Sequence, residues 1–337
     1  MEGNSPDISP SVTPDTRATT TPVYGRRKFL KNAGAGLFGL SPLAPKPPEK
    51  PLEHQLRLAS LRITPEYTTE DEAKQGYAVL NLIRGLLAKE RVNLVVTPEF
   101  SFHPYHSDSF RIMLDKKWGR WKLNPSSSAT QKHIILNARL LAAQHRSSLL
   151  LSTFPETGVD GKYYNTMLHI DANGDIIGVN RKFHPPMGDF TIRDALGKSF
   201  RVLPLICGEA WRETKSDTET GQNYALPPPW VKKGAPYDIL AHSLSQGDLN
   251  FNELVGFTQQ SLPANFTPTF GIDSLRSAFS TYYREYMPYL RRGAPIVAAD
   301  WSTAGVMNGD LQPFENLKET ATYTLLNWKV PPVSYSA

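Results

Sequence analysis

Phe200-Arg-Val-Leu-Pro-Leu-Ile-Cys-Gly-Glu-Ala-Trp211 is an apolar run that ends on a thiol. Arg201–Ile206 has the length and side chains of a buried strand, and Cys207 stands where that strand should stop. It is the only cysteine among 337 residues. A single thiol cannot close an intramolecular disulfide or build a cysteine-rich metal site. What remains is a buried inert thiol or a nucleophile. Two other charged residues end similar apolar runs upstream. Glu99 closes Leu94-Val-Val-Thr-Pro-Glu-Phe100, and Lys182 follows Ile176-Ile-Gly-Val-Asn-Arg181. An acid, an amine and a thiol at three strand ends make a candidate catalytic set.

Around these runs, strands alternate with helices. Arg57–Ile63 alternates like a first strand. Thr68 or Thr69 can cap a helix with Glu70, Asp71 and Glu72 in its first turn and Leu80, Ile83 and Leu87 at helical spacing. Asn93–Thr97 reads as a buried strand, His133–His145 as a second helix and Ser148–Phe154 as another strand. Tyr163–Ile170 and Ile176–Arg181 flank Asp171-Ala-Asn-Gly-Asp175, a hairpin turn with Asn-Gly at its tip. Tyr237–His242 and Ile296–Asp300 are later strands, and Ser274–Leu290 a helix with Pro288 near its end. The alternation predicts an α/β fold with added hairpins.

The length of 337 residues and the hydrophobic fraction of 40% are enough for one large α/β domain or two small ones. The formal charge of +5 is weak and dispersed, and no nucleic-acid-binding signature accompanies it, which argues against a nucleic-acid partner. No run of about 20 apolar residues reads as an ordinary transmembrane helix. Residues 1–24 are rich in Ser, Thr, Pro and Asp and read as a disordered arm. Gly25-Arg-Arg-Lys-Phe-Leu-Lys31, followed by the small-residue stretch to Ala44, resembles a bacterial twin-arginine export signal. It departs from that pattern at Gly25 and at Pro42-Leu-Ala44, a poor cleavage site. Two readings stand: a signal read by the twin-arginine translocase, cleaved or kept as an anchor, and a basic patch on a flexible arm that leaves the protein in the cytoplasm. Residues 45–55 form a proline-rich spacer, and 56–337 the folded domain.

A thiolate attacking a carbonyl or nitrile carbon needs a base for its proton, and positive charge and donors for the oxygen that becomes negative. Glu99, Lys182, Cys207 and the backbone of Gly208 fit these needs in type. Three segments resemble motifs of the nitrilase, or carbon–nitrogen hydrolase, superfamily. They are Val95-Val-Thr-Pro-Glu99, the hairpin from Tyr163 to Pro185, and Leu203-Pro-Leu-Ile-Cys-Gly-Glu209. The resemblance runs from about Arg57 to Gly305. It implies a single-domain four-layer α-β-β-α sandwich with its site at strand ends. It also implies Glu99 as general base, Lys182 as stabiliser of the tetrahedral intermediate, Cys207 as nucleophile and Gly208 as oxyanion donor, with no cofactor and no metal. The expected substrate is a small amide or nitrile, and a homo-oligomer is in keeping with the family.

Asp189, in Pro185-Pro-Met-Gly-Asp-Phe190, is the candidate second acid, with a turn aspartate as the alternative. The Pro-x-Gly-acid pattern and the acid two residues after Cys207 are similar to the apolipoprotein N-acyltransferase branch, whose membrane-helix bundle is missing here. That branch suggests an amide-forming acyltransferase as a second function. Gly208 stands where nitrilases usually have Trp, which favours amides over nitriles. A catalytically dead scaffold on the same fold is the alternative of another class. His184, Glu209 and Trp211 are candidate pocket residues. Arg291 stands where the family usually has an acid before the Gly293-Ala-Pro-Ile-Val297 strand. The irregular stretches 212–234 and 246–270 follow strand ends and are read either as loops that overhang the cleft and set substrate choice or as solvated surface loops. His103-Pro-Tyr-His106 spaces two histidines near Glu99, but Pro104 opposes the helix that a zinc site would want.

Overall fold

The computed structural model describes residues 53–63, 72–102, 111–117, 120–211, 213–216, 223–232, 236–244, 283, 286–300, 304–307 and 316–331. In chain order they form β1 (Gln55–Leu61), α1 (Glu72–Lys89), β2 (Leu94–Val96), β3 (Leu114–Lys117), β4 (Arg120–Leu123), α2 (Ala129–His145), β5 (Ser148–Thr157), β6 (Tyr163–Ile170), β7 (Ile176–Arg181), β8 (Met187–Gly188), β9 (Thr191–Arg193) and β10 (Ser199–Ile206). A 3-10 helix, Cys207–Trp211, follows. Then come β11 (Glu213–Ser216), β12 (Asn223–Leu226), β13 (Ile239–Ser243), β14 (Ile296–Ala299), β15 (Ala304–Met307), β16 (Leu317–Glu319) and β17 (Tyr323–Lys329). The segments read as arm, export signal and most of the spacer, the cap of the first helix and the histidine pair at 103–106 lie outside the described residues, as does most of the helix expected over 274–290.

Two large sheets are built from these strands. The first has the order β16-β17-β1-β2-β5-β6-β7-β4-β3, with β8 on β7, and the second β15-β14-β13-β10-β9. The centres of both are parallel: β1-β2-β5 in the first, β10-β13-β14 in the second. Parallel strands are covered on both faces, so they read as continuous apolar runs.

Their side chains alternate between layers with the period of two that a pleat imposes. Ala59 and Leu61 of β1, Val95 of β2, and Leu149 and Leu151 of β5 pack with Val79, Leu80 and Ile83 of α1 and Ile134, Ala138 and Leu141 of α2. Leu56, Leu58, Leu94, Val96 and Leu150 face the other way. They meet Val202, Ile206, Ile239, Ala241, Val297 and Ala299 of the second sheet. The outer face of that sheet, Leu203, Leu205, Leu240, Ile296 and Ala298, is covered by Tyr283, Tyr286 and Leu290. Three apolar layers therefore separate four structural ones, in an α-β-β-α sandwich. Each fully buried Leu or Ile contributes about 1.5–3 kcal/mol, so the inter-sheet layer is a main source of cohesion between the sheets.

Several elements differ from the sequence reading. α2 starts at Ala129, a turn before His133, because the Ser128 side chain caps it by accepting from the Gln131 N–H at 3.2 Å. β5 runs past Phe154 to Thr157, since β6 pairs with it across a register shift. The β3–β4 hairpin and β17, which lies antiparallel to β1 along its whole length, are additional.

Candidate active site

Glu99, Lys182 and Cys207 each sit where a strand gives out, and at each place the backbone turns left-handed. φ is +58° at Phe100, +67° at Phe183 and +43° at Cys207. Among described non-glycine residues only Arg146, which ends α2, shares that region. Such conformations cost about 1–3 kcal/mol and persist only where the surroundings enforce them.

Here the enforcement comes from side chains. The Phe100 N–H donates to Thr153 Oγ1 at 3.0 Å, and Gln75 Nε2 donates to the Phe100 carbonyl at 2.9 Å. The Phe183 N–H donates to Glu209 Oε1 at 2.8 Å, and His242 Nε2 to the Cys207 carbonyl at 3.0 Å. Two further bonds tie the end of β2 to the end of β13 in the other sheet: Glu99 N–H to the Leu244 carbonyl at 2.8 Å, and Ser243 Oγ to the Thr97 carbonyl at 2.6 Å. The sheets are thus joined where the acid and the thiol must meet.

They do meet. Glu99 is fully buried, and its Oε1 accepts from Lys182 Nζ at 2.8 Å and from Asn165 Nδ2 at 2.7 Å. The Glu99 and Lys182 charges both act on the Cys207 thiol. Burial pushes the thiol well above its ordinary range and the Glu99 charge pushes it further, against the pull of Lys182 and of the Gly208 N–H. The resting sulfur is therefore protonated. At Lys182 burial works against the charge, but the negative charge around the amine, that of Glu99 among it, outweighs burial, and the net effect is upward. The amine stays charged.

Glu209 is buried beneath these turns. Its Oε2 accepts from the Ile206 N–H at 2.6 Å and Asn180 Nδ2 at 3.1 Å, while its Oε1 takes the Phe183 N–H. One carboxylate so links the turn after Lys182 to the turn that carries Cys207. Burial raises its carboxyl to about 7 in spite of these three donors.

The other candidates lie elsewhere. Asp189 is exposed; its N–H donates to the Ile177 carbonyl and its own carbonyl accepts from His169 Nδ1. Its turn is pressed onto β7 through Gly188, at φ +91°, where a Cβ would sit 2.2 Å from the Ile177 oxygen. Asp189 helps line a surface cleft with Pro185, Pro186, Arg201, Trp230 and Tyr237, and none of Glu99, Lys182 and Cys207 forms its walls. His184 is exposed, with its ring edge-on to Tyr164 at 5.2 Å. Trp211 closes the 3-10 helix. Arg291 is paired with Asp238 at 2.9 Å. In the stretch 212–234, β11 and β12 form an antiparallel hairpin, while 246–270 lies outside the described residues. Among the described residues no group of three or more His, Cys, Asp or Glu could hold a metal ion.

Asn165, Thr153, Gln75 and His242 were not singled out by the sequence. Their one signal is a polar side chain interrupting an apolar element, as His242 does in Ile239–Ser243.

An α-β-β-α sandwich with an acid, an amine and a thiol joined at its strand ends defines a class of carbon–nitrogen bond hydrolases. Residues 57–222 match the family model described as carbon-nitrogen hydrolase, which supports the resemblance to the nitrilase superfamily. The search of curated proteins finds no match. Among solved structures the chain is similar to Saccharomyces cerevisiae Nit3, a member of branch 10 of the nitrilase superfamily. Identity is 14%, 81% of this chain and 90% of that one are covered, and the TM-score is 0.51. A carbon-nitrogen hydrolase from Helicobacter pylori is similar at 17% identity, over 81% and 89% of the two chains, with a TM-score of 0.49. An amidase from Nesterenkonia sp. AN1, carrying an acetamide moiety on its active-site cysteine, is similar at 13% identity, over 82% and 91%, with a TM-score of 0.47. The first of these likenesses speaks to the fold alone.

Proposed function

We propose that this chain is an exported thiol amidohydrolase that cleaves a non-peptide C–N bond through a thioester on Cys207. The observation that carries this reading is the Glu99–Lys182 pair, 2.8 Å apart, whose two charges both act on the Cys207 thiol. As Sγ bonds to the substrate carbonyl carbon, the thiol proton passes to Glu99 and the carbonyl π electrons move to oxygen. Negative charge leaves Glu99 and appears on the oxyanion, beside the same Lys182, so the site neither gains nor loses net charge. The Gly208 N–H is the second donor to the oxyanion. When the C–N bond breaks, the proton on Glu99 goes to the leaving amine. Water then attacks the thioester, Glu99 takes its proton, and the acid departs as the thiol reforms.

Gly208 in place of a bulky residue after the nucleophile favours amides over nitriles. The twin-arginine-like segment at 25–44 supports action outside the cytoplasm. Among the described residues no helix is long and apolar enough to cross a membrane, so anchoring would fall to that segment. The test is trapping. Purified protein is quenched during turnover of a panel of amides, nitriles and N-acyl amines, and Cys207 is examined for an acyl mass gain. An adduct on Cys207 supports the reading, and turnover with no adduct and with Cys207→Ala still active removes it. Added amine acceptors that are consumed into new amides would move the assignment to acyltransferase.

A further inference from the structure

Behind the Cys207 turn lie two buried side chains that the steps above do not use. His242, in β13, is fully buried, as is Tyr283. His242 Nε2 lies 3.0 Å from the Cys207 carbonyl oxygen, and its Nδ1 lies 2.6 Å from Tyr283 Oη. The two rings meet edge to face, 5.7 Å apart at 84°. A carbonyl oxygen only accepts, so Nε2 carries a proton. Burial lowers the imidazole to about 3, opposed by its bond to the Cys207 carbonyl and helped by the Lys182 charge, so the ring is neutral. Nδ1 is then a bare acceptor, and Tyr283 donates its O–H to it. The tyrosine selects the tautomer.

The bond acts on one peptide unit. The carbonyl of Cys207 and the N–H of Gly208 belong to the same planar trans amide and point in opposite directions. Holding the carbonyl therefore aims the N–H. That N–H is among the groups that act on the Cys207 sulfur, to which a substrate carbonyl must come. The unit follows a residue at φ +43°, where local backbone preference does not hold the plane. A donor on the carbonyl also polarises the amide and strengthens its N–H.

We infer that His242, set in its Nε2–H form by Tyr283, is a positioning residue for acyl transfer: it clamps the Cys207–Gly208 peptide so that the Gly208 N–H meets the oxyanion. This rests on the acyl-enzyme reading above. The clamp adds no charge to the site, because the imidazole stays neutral beside Lys182.

Two probes of Cys207 separate the clamp from general damage. p-Nitrophenyl acetate acylates through a tetrahedral oxyanion, whereas iodoacetamide alkylates sulfur without one. Both are followed on the full chain by mass spectrometry. His242→Ala is expected to slow acetylation about 10- to 100-fold, part of the effect of deleting an oxyanion donor, with alkylation unchanged. His242→Gln, whose Nε2 can donate to the same carbonyl, recovers most of the loss. Tyr283→Phe keeps the shape of the core and, by releasing the tautomer, slows acetylation about fivefold; it decides the matter if His242→Ala does not fold. Unchanged acetylation in folded His242→Ala or Tyr283→Phe overturns the clamp, as does a parallel fall in acetylation and alkylation. Wild-type protein that is alkylated but never acetylated overturns the acyl-enzyme reading, and the clamp with it.

Discussion

Glu209→Gln removes one charge and one acceptor from the link between the lysine turn and the cysteine turn. Glu209 Oε2 faces two donors, the Ile206 N–H and Asn180 Nδ2, whereas Oε1 faces the Phe183 N–H. A glutamine keeps its oxygen where two donors converge and turns its NH2 against the Phe183 N–H. One buried backbone donor then loses its acceptor, at about 1–3 kcal/mol. The carboxyl carries a second, pH-dependent contribution. Burial raises it from 4.5 to about 7 in the folded chain. Below 4.5 it is protonated folded and unfolded, and above 7 it is ionised in both. Between these values the folded chain holds the extra proton, so its contribution to stability is fully present below 4.5 and is lost as pH rises through 7. The interval is worth about 3 kcal/mol, and glutamine has no counterpart. Scanning calorimetry from about pH 8 to about pH 5 should show wild type gaining roughly 5–10 °C in melting temperature relative to the variant. Turnover should fall about tenfold or more, because the released Phe183 turn lets Lys182 shift. A melting-temperature difference that stays flat with pH would refute the raised carboxyl, and wild-type kcat in the variant would refute the link.

Cys207→Ala should abolish turnover with the fold retained, as judged by circular dichroism, because the volume change is small; Cys207→Ser should also be nearly inactive, since an alkoxide is harder to generate than a thiolate. More than a few per cent of wild-type activity in the alanine variant would end the thiol mechanism. Lys182→Arg should not restore function, because a planar guanidinium places its donors differently from the ammonium now 2.8 Å from Glu99; near-normal kcat would make the lysine peripheral. Replacing Arg26 and Arg27 by Lys keeps the charge but should block translocation if a receptor reads the pair. Fractionation checks this, and a double mutant exported as well as wild type would mark residues 25–31 as a basic arm.

The three strand ends were legible in the sequence. A charged or reactive residue that closes a buried apolar run must be paired or functional, and Glu99, Lys182 and Cys207 each close one. The β6–β7 hairpin was legible too, because Asn-Gly specifies its turn locally. The alternation of helices and strands likewise carried the layered fold class. What the sequence left open depends on partners far along the chain. β17 returns to pair with β1, and no residue near either strand announces it. Glu209 and His242 are polar residues within short segments. Their bonds to Phe183 and Cys207, made across 26 and 35 residues, exist only once two strands lie side by side. Asp189 follows Lys182 closely in sequence, yet Gly188 folds its turn back onto β7 and leaves the carboxylate exposed. Residue type and the end of an apolar run thus determined which groups this chain brings to its site. Only the stacking of two sheets decided how far apart they lie and which backbone turns hold them, because hydrogen bonds between distant strands depend on register and layer contact, which local pattern does not encode.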